Sequence, residues 1–462
     1  MTLIDVFTIA PGERAVAVGE VVASSTAEFV AWHPSGGELA DLGPINELIA
    51  THPNADVIYP DEWSGHGRHR VHVRRPDFSP ERLRNQFFFG RPVFYRRDFL
   101  AGIGGISSVH RGAEDYELAL RASRTARSIV HAPVALYNPG VTGIAPLDDG
   151  AQESTRRALQ EHLDLTGGGR VVAVGADGVH DTRRPVVGEP LVSIVIPTRG
   201  IFDTQAEDAT SHLLTAIRSI LELSTYTNVE FVIVMDDVAE QSILDEVARL
   251  LGERLRLVMW RKPFNFSEKI NLGVIRARGE YVLILNDDVQ ILTPDWIESL
   301  LALAQRPGAG MSGAMLYYED NSIQHAGHAY YEGDASHIGL DTPRGASGPL
   351  SGYRVEREVS GVTAACAMMP ISVFHEAGGM SNLLPGNFND VDLCMKVTGL
   401  GYEIYWTPHA ELYHFESKTR DASVHGFEAH LLYSRWGFRM NDHRYWPYAH
   451  SRKPTPSGET PW

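Results

Sequence analysis

From Leu191 onward the chain alternates apolar, β-branched runs with stretches of helical periodicity, and no other feature constrains its fold as tightly. Leu191 to Pro197 (LVSIVIP) has the near-continuous hydrophobicity of a strand covered on both faces. His212 to Leu223 places Leu213, Ala216, Ile217 and Ile220 at helical spacing, and Val229 to Met235 (VEFVIVM) reads as a second buried strand. The pattern recurs with a helix predicted over Ile270 to Arg278 and a strand over Tyr281 to Leu285. Strands alternating with helices predict an α/β fold on a doubly wound, mostly parallel sheet. Open sheets of this kind take ligands beyond the carboxyl ends of their strands. The residues at those ends are Thr198 and Arg199, Asp236 and Asp237, and Asn286, Asp287 and Asp288.

A length of 462 residues allows two or three globular units at about 150 residues each. The Gly-rich stretch Thr166 to Pro190 marks the boundary between them. With 41 basic against 58 acidic residues, a formal charge of −17 and no block of like charges, the chain lacks the basic surface that nucleic acid requires. Cys366 and Cys394 are too few for a disulfide framework, which fits a reducing cytoplasm. The first residues lack the basic and apolar regions of a signal peptide, and Gly361 to Phe374 falls short of the roughly 20 apolar residues of a membrane span. A cytoplasmic protein is expected, with peripheral attachment at the inner face of a membrane and self-association left open.

The sequence also resembles itself. Glu28 to Gly36 (EFVAWHPSG) matches Glu280 to Asp288 (EYVLILNDD) at an offset of 252, and Glu114 to Leu118 (EDYEL) matches Asn389 to Leu393 (NDVDL) at 275. A Gly-Gly pair precedes the second match in each copy, Gly104-Gly105 and Gly378-Gly379, and a strand ending in Tyr137-Asn138 or Tyr413-His414 follows it. The copies differ where chemistry would sit. Pro34-Ser35-Gly36 stands in place of Asn286-Asp287-Asp288, and Asn138 in place of His414.

Paired carboxylates at a sheet edge are hard donors suited to Mg²⁺ or Mn²⁺, although Asp287 and Asp288 could equally cap the helix that Thr293 to Trp296 begins. Asp390 precedes the amphipathic run Leu393 to Val397 and suits either a general base or a helix cap. His414 could join carboxylates on Mn²⁺, since it is lost in the same copy that loses the Asp pair. FNFSEKIN reads either as a loop whose Ser267 caps the helix, with Phe264 and Phe266 in the core, or as a segment whose Asn271 and Gly273 bring polar groups and bare backbone to a ligand.

Together, IVIPTRG, FNFSEKINLGVIRARGEYVLILNDD, IQHAGH, VTAACAMM and FNDVDLCMKVTGLGYEIYWTPHAELYHFES resemble glycosyltransferase family 2, inverting enzymes with a GT-A fold that use nucleotide-diphosphate sugars. The resemblance implies a catalytic GT-A domain with a Rossmann-like mixed sheet over 191–420. It implies a truncated, inactive GT-A-like domain over 1–165, a linker over 166–190 and an extension over 421–462; the aromatic residues of His425 to Trp462 either pack on the catalytic domain or stack on an acceptor chain. It makes Asp288 and His414 metal ligands for Mn²⁺ or Mg²⁺, and Asp390 the catalytic base. Pro197, Thr198, Arg199, Asp236, Asp237, Asn271 and Asp287 line the nucleotide-sugar pocket. Two positions depart from the family pattern: Asn286 replaces the first Asp of the Asp-X-Asp motif, and Asn389 replaces the Glu of the Glu-Asp base motif. Tandem forms resemble bacterial enzymes of O-antigen or rhamnan synthesis, whose acceptors are glycans or lipid-linked glycans. A sugar nucleotidyltransferase would require a basic triphosphate loop that Thr198-Arg199-Gly200 does not supply, and a non-catalytic binding scaffold would lack both the metal and the base residues.

Overall fold

The computed structural model describes residues 3–9, 19, 22, 24–139, 146–202, 211–415 and 425–448. Residues 416–420 of the family resemblance, and 421–424 and 449–462 of the extension, lie outside them. The chain divides into two compact units, one of residues 1–183, 349–355 and 444–462, the other of 184–348 and 356–443. No described helix is long and apolar enough to cross a membrane.

In the first unit the strands are β1 Ile4–Ile9, β2 Phe29–Pro34, β3 Glu38–Leu39, β4 Val57–Ser64, β5 Val71–Val73, β6 Phe94–Arg96 and β7 Ile129–Asn138. They form a sheet of order β1-β2-β6-β4-β7-β3, with β5 on β4. The stretch expected to be a linker begins with ordered structure, a hairpin of β8 Arg170–Val174 and β9 His180–Arg183 that belongs to this unit. Segments 349–355 and 444–448 join it too, Tyr353 stacking on Trp446 with 5.7 Å between ring centres.

The second unit holds β10 Val192–Thr198, β11 Val229–Asp236, β12 Leu255–Trp260, β13 Tyr281–Leu285, β14 Val289–Ile291, β15 Ala309–Tyr317, β16 Ser322–His325, β17 His328–Tyr331, β18 Asp334–His337, β19 Thr342–Pro343, β20 Arg357–Val359, β21 Cys366–Pro370 and β22 Glu403–His414. Strands β12, β11, β10 and β13 are parallel; β21 then runs antiparallel to both β13 and β15. The sheet is therefore mixed, and the mostly parallel expectation holds only for its first half. Residues of the central strands β10 and β11 are buried along nearly their whole length because helices cover both faces, whereas β12 at the edge is largely open. Helix His212–Leu223 begins where Ser211 accepts the Leu214 amide and buries Leu213, Leu214, Ala216, Ile217 and Ile220. Full burial of each large aliphatic side chain contributes about 1.5–3 kcal/mol.

The internal repeat is one of topology as well as sequence. The run β10-β13-β21-β15-β22-β14 repeats β1-β2-β6-β4-β7-β3 with the same parallel or antiparallel sense at each step. Phe29 pairs with Ile4 as Tyr281 pairs with Val192, which carries Pro34, Ser35 and Gly36 onto the positions of Asn286, Asp287 and Asp288. Both Gly-Gly pairs adopt positive φ, +90° and +64° in one copy, +74° and +69° in the other, a turn open to glycine without strain. The first copy has no described counterpart of β11 and β12.

Candidate active site

Beyond the carboxyl ends of β10, β11 and β13 opens a cleft of about 820 Å³, within the range of small-molecule sites. Pro197, Thr198, Arg199, Asp236, Asp287, Asp288, Asp390 and His414 all line it. Two expected residues do not. Asp237 is exposed at the turn after β11, its amide bonded to the Trp260 carbonyl. Asn271 points the other way, its amide bonded to the Met380 carbonyl and Asn382 and its oxygen accepting the Met380 amide, so it fixes the loop after the Gly-Gly turn. Gly273 likewise serves packing: a Cβ there would stand 2.4 Å from Val195 Cγ1.

Helix Phe266–Arg276 starts earlier than its apolar pattern suggests because Asn265 caps it, accepting the Glu268 amide. The extra turn carries Lys269 into the cleft wall. Its ammonium, 1% exposed, lies 2.5 Å from Asp236 Oδ1 and 3.2 Å from the Thr198 carbonyl.

Thr198 donates its hydroxyl to Asp287 Oδ2 at 2.6 Å. Burial, reinforced by the adjacent Asp288, pushes the Asp287 carboxyl up to about 6. Asp288 goes the other way: burial opposes its ionisation, but its interactions with His414, with its own backbone and with His212 together hold it below the usual carboxylate range. Asp288 Oδ1 lies 3.2 Å from His414 Nε2, and Asn286 Nδ2 lies 3.0 Å from the same nitrogen. Asp288 Oδ1 and Asn286 Oδ1 are buried without a hydrogen-bond partner among the described residues. An unpartnered Asp288 oxygen beside the His414 nitrogen, with a second unpartnered oxygen on Asn286 in the same cleft, is a donor chemistry that fits Mn²⁺ or Mg²⁺, so Asn286 sits in the site despite replacing a carboxylate.

Asp390 lies inside the first turn of helix Asn389–Gly399, not ahead of the helix as the apolar run implies. Phe388 precedes it at φ +57°, and Asp390 accepts the Val391 amide at 2.8 Å and the Ala364 amide at 3.3 Å. Asp392, two residues on, is fully buried away from the cleft against Lys396, Arg435 and Trp436. Glu428, also fully buried, accepts the Gly386 and Asn387 amides and the Asn387 side chain, pinning the segment that leads into Asp390.

Two further lining residues, His328 and His337, cluster with the fully buried His325. His325, His328 and His337 bring ring nitrogens within 4.8 Å of one another. The Thr363 amide donates to His325 Nε2, so His325 carries its proton on Nδ1 and donates it to His337 Nδ1 at 3.0 Å. Those lone pairs are thus used inside the cluster. Burial drives the His328 imidazole down to about 4 and His325 well below its ordinary value, leaving both neutral at pH 7.

In the first unit the corresponding place is closed. Asp115 accepts from Trp32 Nε1 at 3.3 Å and Arg91 at 3.2 Å, beside a cavity of about 20 Å³. Asn138 donates to the Gly65 carbonyl.

Residues 193–376 match the family Glycosyl transferase family 2. This stretch is a glycosyl transferase family 2 domain. Over 392 residues, 81% of this chain and 42% of its relative, the sequence is 36% identical to the uncharacterized protein y4gI of Sinorhizobium fredii. Over 424 residues, 89% of this chain and 33% of its relative, it is 29% identical to the O-antigen biosynthesis protein RfbC of Myxococcus xanthus. The chain therefore spans less than half the length of either relative. The crystal structure of GalNAc-T7 with UDP, GalNAc and Mn²⁺ covers 54% of this chain and 48% of its own at 13% identity and a TM-score of 0.44, a likeness too slight to argue from. The family 2 domain holds much of the mixed sheet of the second unit, and its match stops at 376, short of Asp390, His414 and Glu428.

Proposed function

We propose that the family 2 domain is an inverting glycosyltransferase that moves a sugar from a nucleotide-diphosphate sugar to a hydroxyl of a glycan or lipid-linked glycan in cell-surface polysaccharide synthesis. The observation that carries this reading is one cleft lined both by the Asn286, Asp288 and His414 donor set and by Asp390. Thr198, Arg199, Asp236, Lys269 and Asp287 form the nucleotide side. Asp390 takes the proton of the acceptor hydroxyl as its oxygen attacks the anomeric carbon; the bond to the diphosphate breaks, and configuration inverts. A bound Mn²⁺ or Mg²⁺, held by Asp288 and His414 with Asn286, would neutralise charge on the departing diphosphate. Such an enzyme works on the cytoplasmic side of a membrane, where nucleotide sugars are made. The first unit acts without chemistry of its own, because Arg91 and Trp32 occupy Asp115.

The test is nucleoside-diphosphate release from a panel of sugar donors with Mn²⁺. Asp390→Asn is expected to lower turnover by about 10²–10⁴-fold while donor binding persists. Unchanged turnover would remove Asp390 from the role of base, and binding without release from any donor would favour a scaffold.

A further inference from the structure

Gln324 belongs to the IQHAGH segment and lies on β16, 3% exposed, in the wall of the cleft. Strand β16 pairs with β15, and β15 pairs with β22 up to Tyr317 and Tyr413, which brings Gln324 beside His414 at the end of β22. Both ends of its amide meet that one residue. Oε1 lies 2.7 Å from His414 Nδ1, and Nε2 donates to the His414 carbonyl at 3.3 Å. A carbonyl oxygen can only accept, so the amide end facing it must be the NH₂ and the end facing the ring must be the oxygen. An oxygen at Nδ1 requires a proton on Nδ1. The neutral ring therefore leaves its lone pair on Nε2, the nitrogen that faces Asp288 and Asn286.

We propose that Gln324 is a positioning residue that fixes the tautomer and orientation of His414 and thereby sets the affinity of the Asn286, Asp288 and His414 site for a divalent cation. The proposal rests on reading those three residues as the cation site. Metal-bound histidines are commonly held by such a partner on the second nitrogen, and its loss costs about 10–100-fold in affinity. The first unit lacks the imidazole of this arrangement, since Asn138 stands where His414 does and spends its amide on Gly65. The departure at Asn286 gives Gln324 more weight, because a site with one carboxylate fewer depends more on its imidazole.

Two measurements on the full chain test this. Titration with Mn²⁺ alone, followed by the electron paramagnetic resonance of the free ion, should show binding weakened by about 10–100-fold in Gln324→Leu. Gln324→Glu, which keeps an acceptor on Nδ1, should stay within several-fold of wild type. Independently, ¹⁵N chemical shifts of the His414 ring, assigned by difference from His414→Asn, should show the Nδ1–H form in wild type and Gln324→Glu and a shift toward the Nε2–H form in Gln324→Leu. An Nε2–H ring in wild type, or wild-type Mn²⁺ affinity in a folded Gln324→Leu, would overturn the proposal. Mn²⁺ binding that survives both Asp288→Ala and His414→Ala would overturn the cation site itself, a distinct result because the tautomer is read without metal.

Discussion

Lys269→Met tests whether the proposed nucleotide side of the cleft is built around a buried ion pair. Removing one partner of a fully buried pair costs about 3–5 kcal/mol, whereas exposed pairs contribute about 0.2–1 kcal/mol. Lys269 is 1% exposed, but the side chain of Asp236 keeps 16% of its surface in solvent. Water can relieve part of the abandoned carboxylate, so the expected loss is about 2–3 kcal/mol. Asp236→Asn should cost less, because Lys269 retains the Thr198 carbonyl at 3.2 Å and the Phe264 ring at 5.7 Å. The double variant should recover much of the loss, giving a coupling of at least about 1 kcal/mol. Hydrogen exchange read by mass spectrometry on peptides covering Val229–Asp236 and Phe266–Arg276 measures this locally, which matters in a chain of two units. A coupling below about 0.5 kcal/mol would show that the pair behaves as a surface contact and refute the reasoning.

Three further outcomes are expected. Gly273→Ala gains about 0.8–1 kcal/mol of helix propensity but drives a methyl group to 2.4 Å from Val195 Cγ1, an overpacking cost of about 1–3 kcal/mol; a variant more stable than wild type in thermal melts sinks the close-approach account. His180, 3% exposed, is pushed down to about 4 by burial. Below pH 6.5 the unfolded chain therefore takes a proton that the folded chain refuses, and stability present above pH 6.5 should decline toward pH 4 by up to about 3 kcal/mol; His180→Gln should flatten melting curves over that window, and an unchanged slope counts against the assignment. Asp115→Asn should leave nucleoside-diphosphate release unaltered, and a large loss would restore a catalytic part to the first unit.

Strand positions were the most legible part of the fold. The runs from Leu191, Val229 and Tyr281 fall within a residue or two of β10, β11 and β13, because a strand buried on both faces has a continuous apolar signature. Helix starts were less legible: polar caps such as Asn265 and the left-handed Phe388 set them, and apolar periodicity does not record either. The residue pattern alone does not show the antiparallel half of the sheet, which only the family resemblance implies, because pairing between distant segments leaves no local pattern. In the site, chain position at strand ends found Thr198, Asp236 and Asp288, and comparison of the two copies singled out His414. Asn271 failed because its side chain turns toward Met380, and Lys269 was missed because a lysine in a helical run normally faces water. Gln324 stood in a quoted segment whose partner is 90 residues away, a separation no motif spans.

The hold of Glu428 on Gly386 and Asn387 has a consequence for how this chain can be divided. A piece cut at the end of the family match would keep the ends of β10, β11 and β13 and lose Asp390, the proposed base, altogether. A piece cut at 420 would retain Asp390 in its sequence but release the short segment that aims it, since the anchor comes from helix Gly426–Trp436. The smallest piece able to carry out the proposed transfer is thus longer than the most recognisable stretch, and on that proposal a nonsense change between 420 and 428 should leave donor binding and abolish turnover.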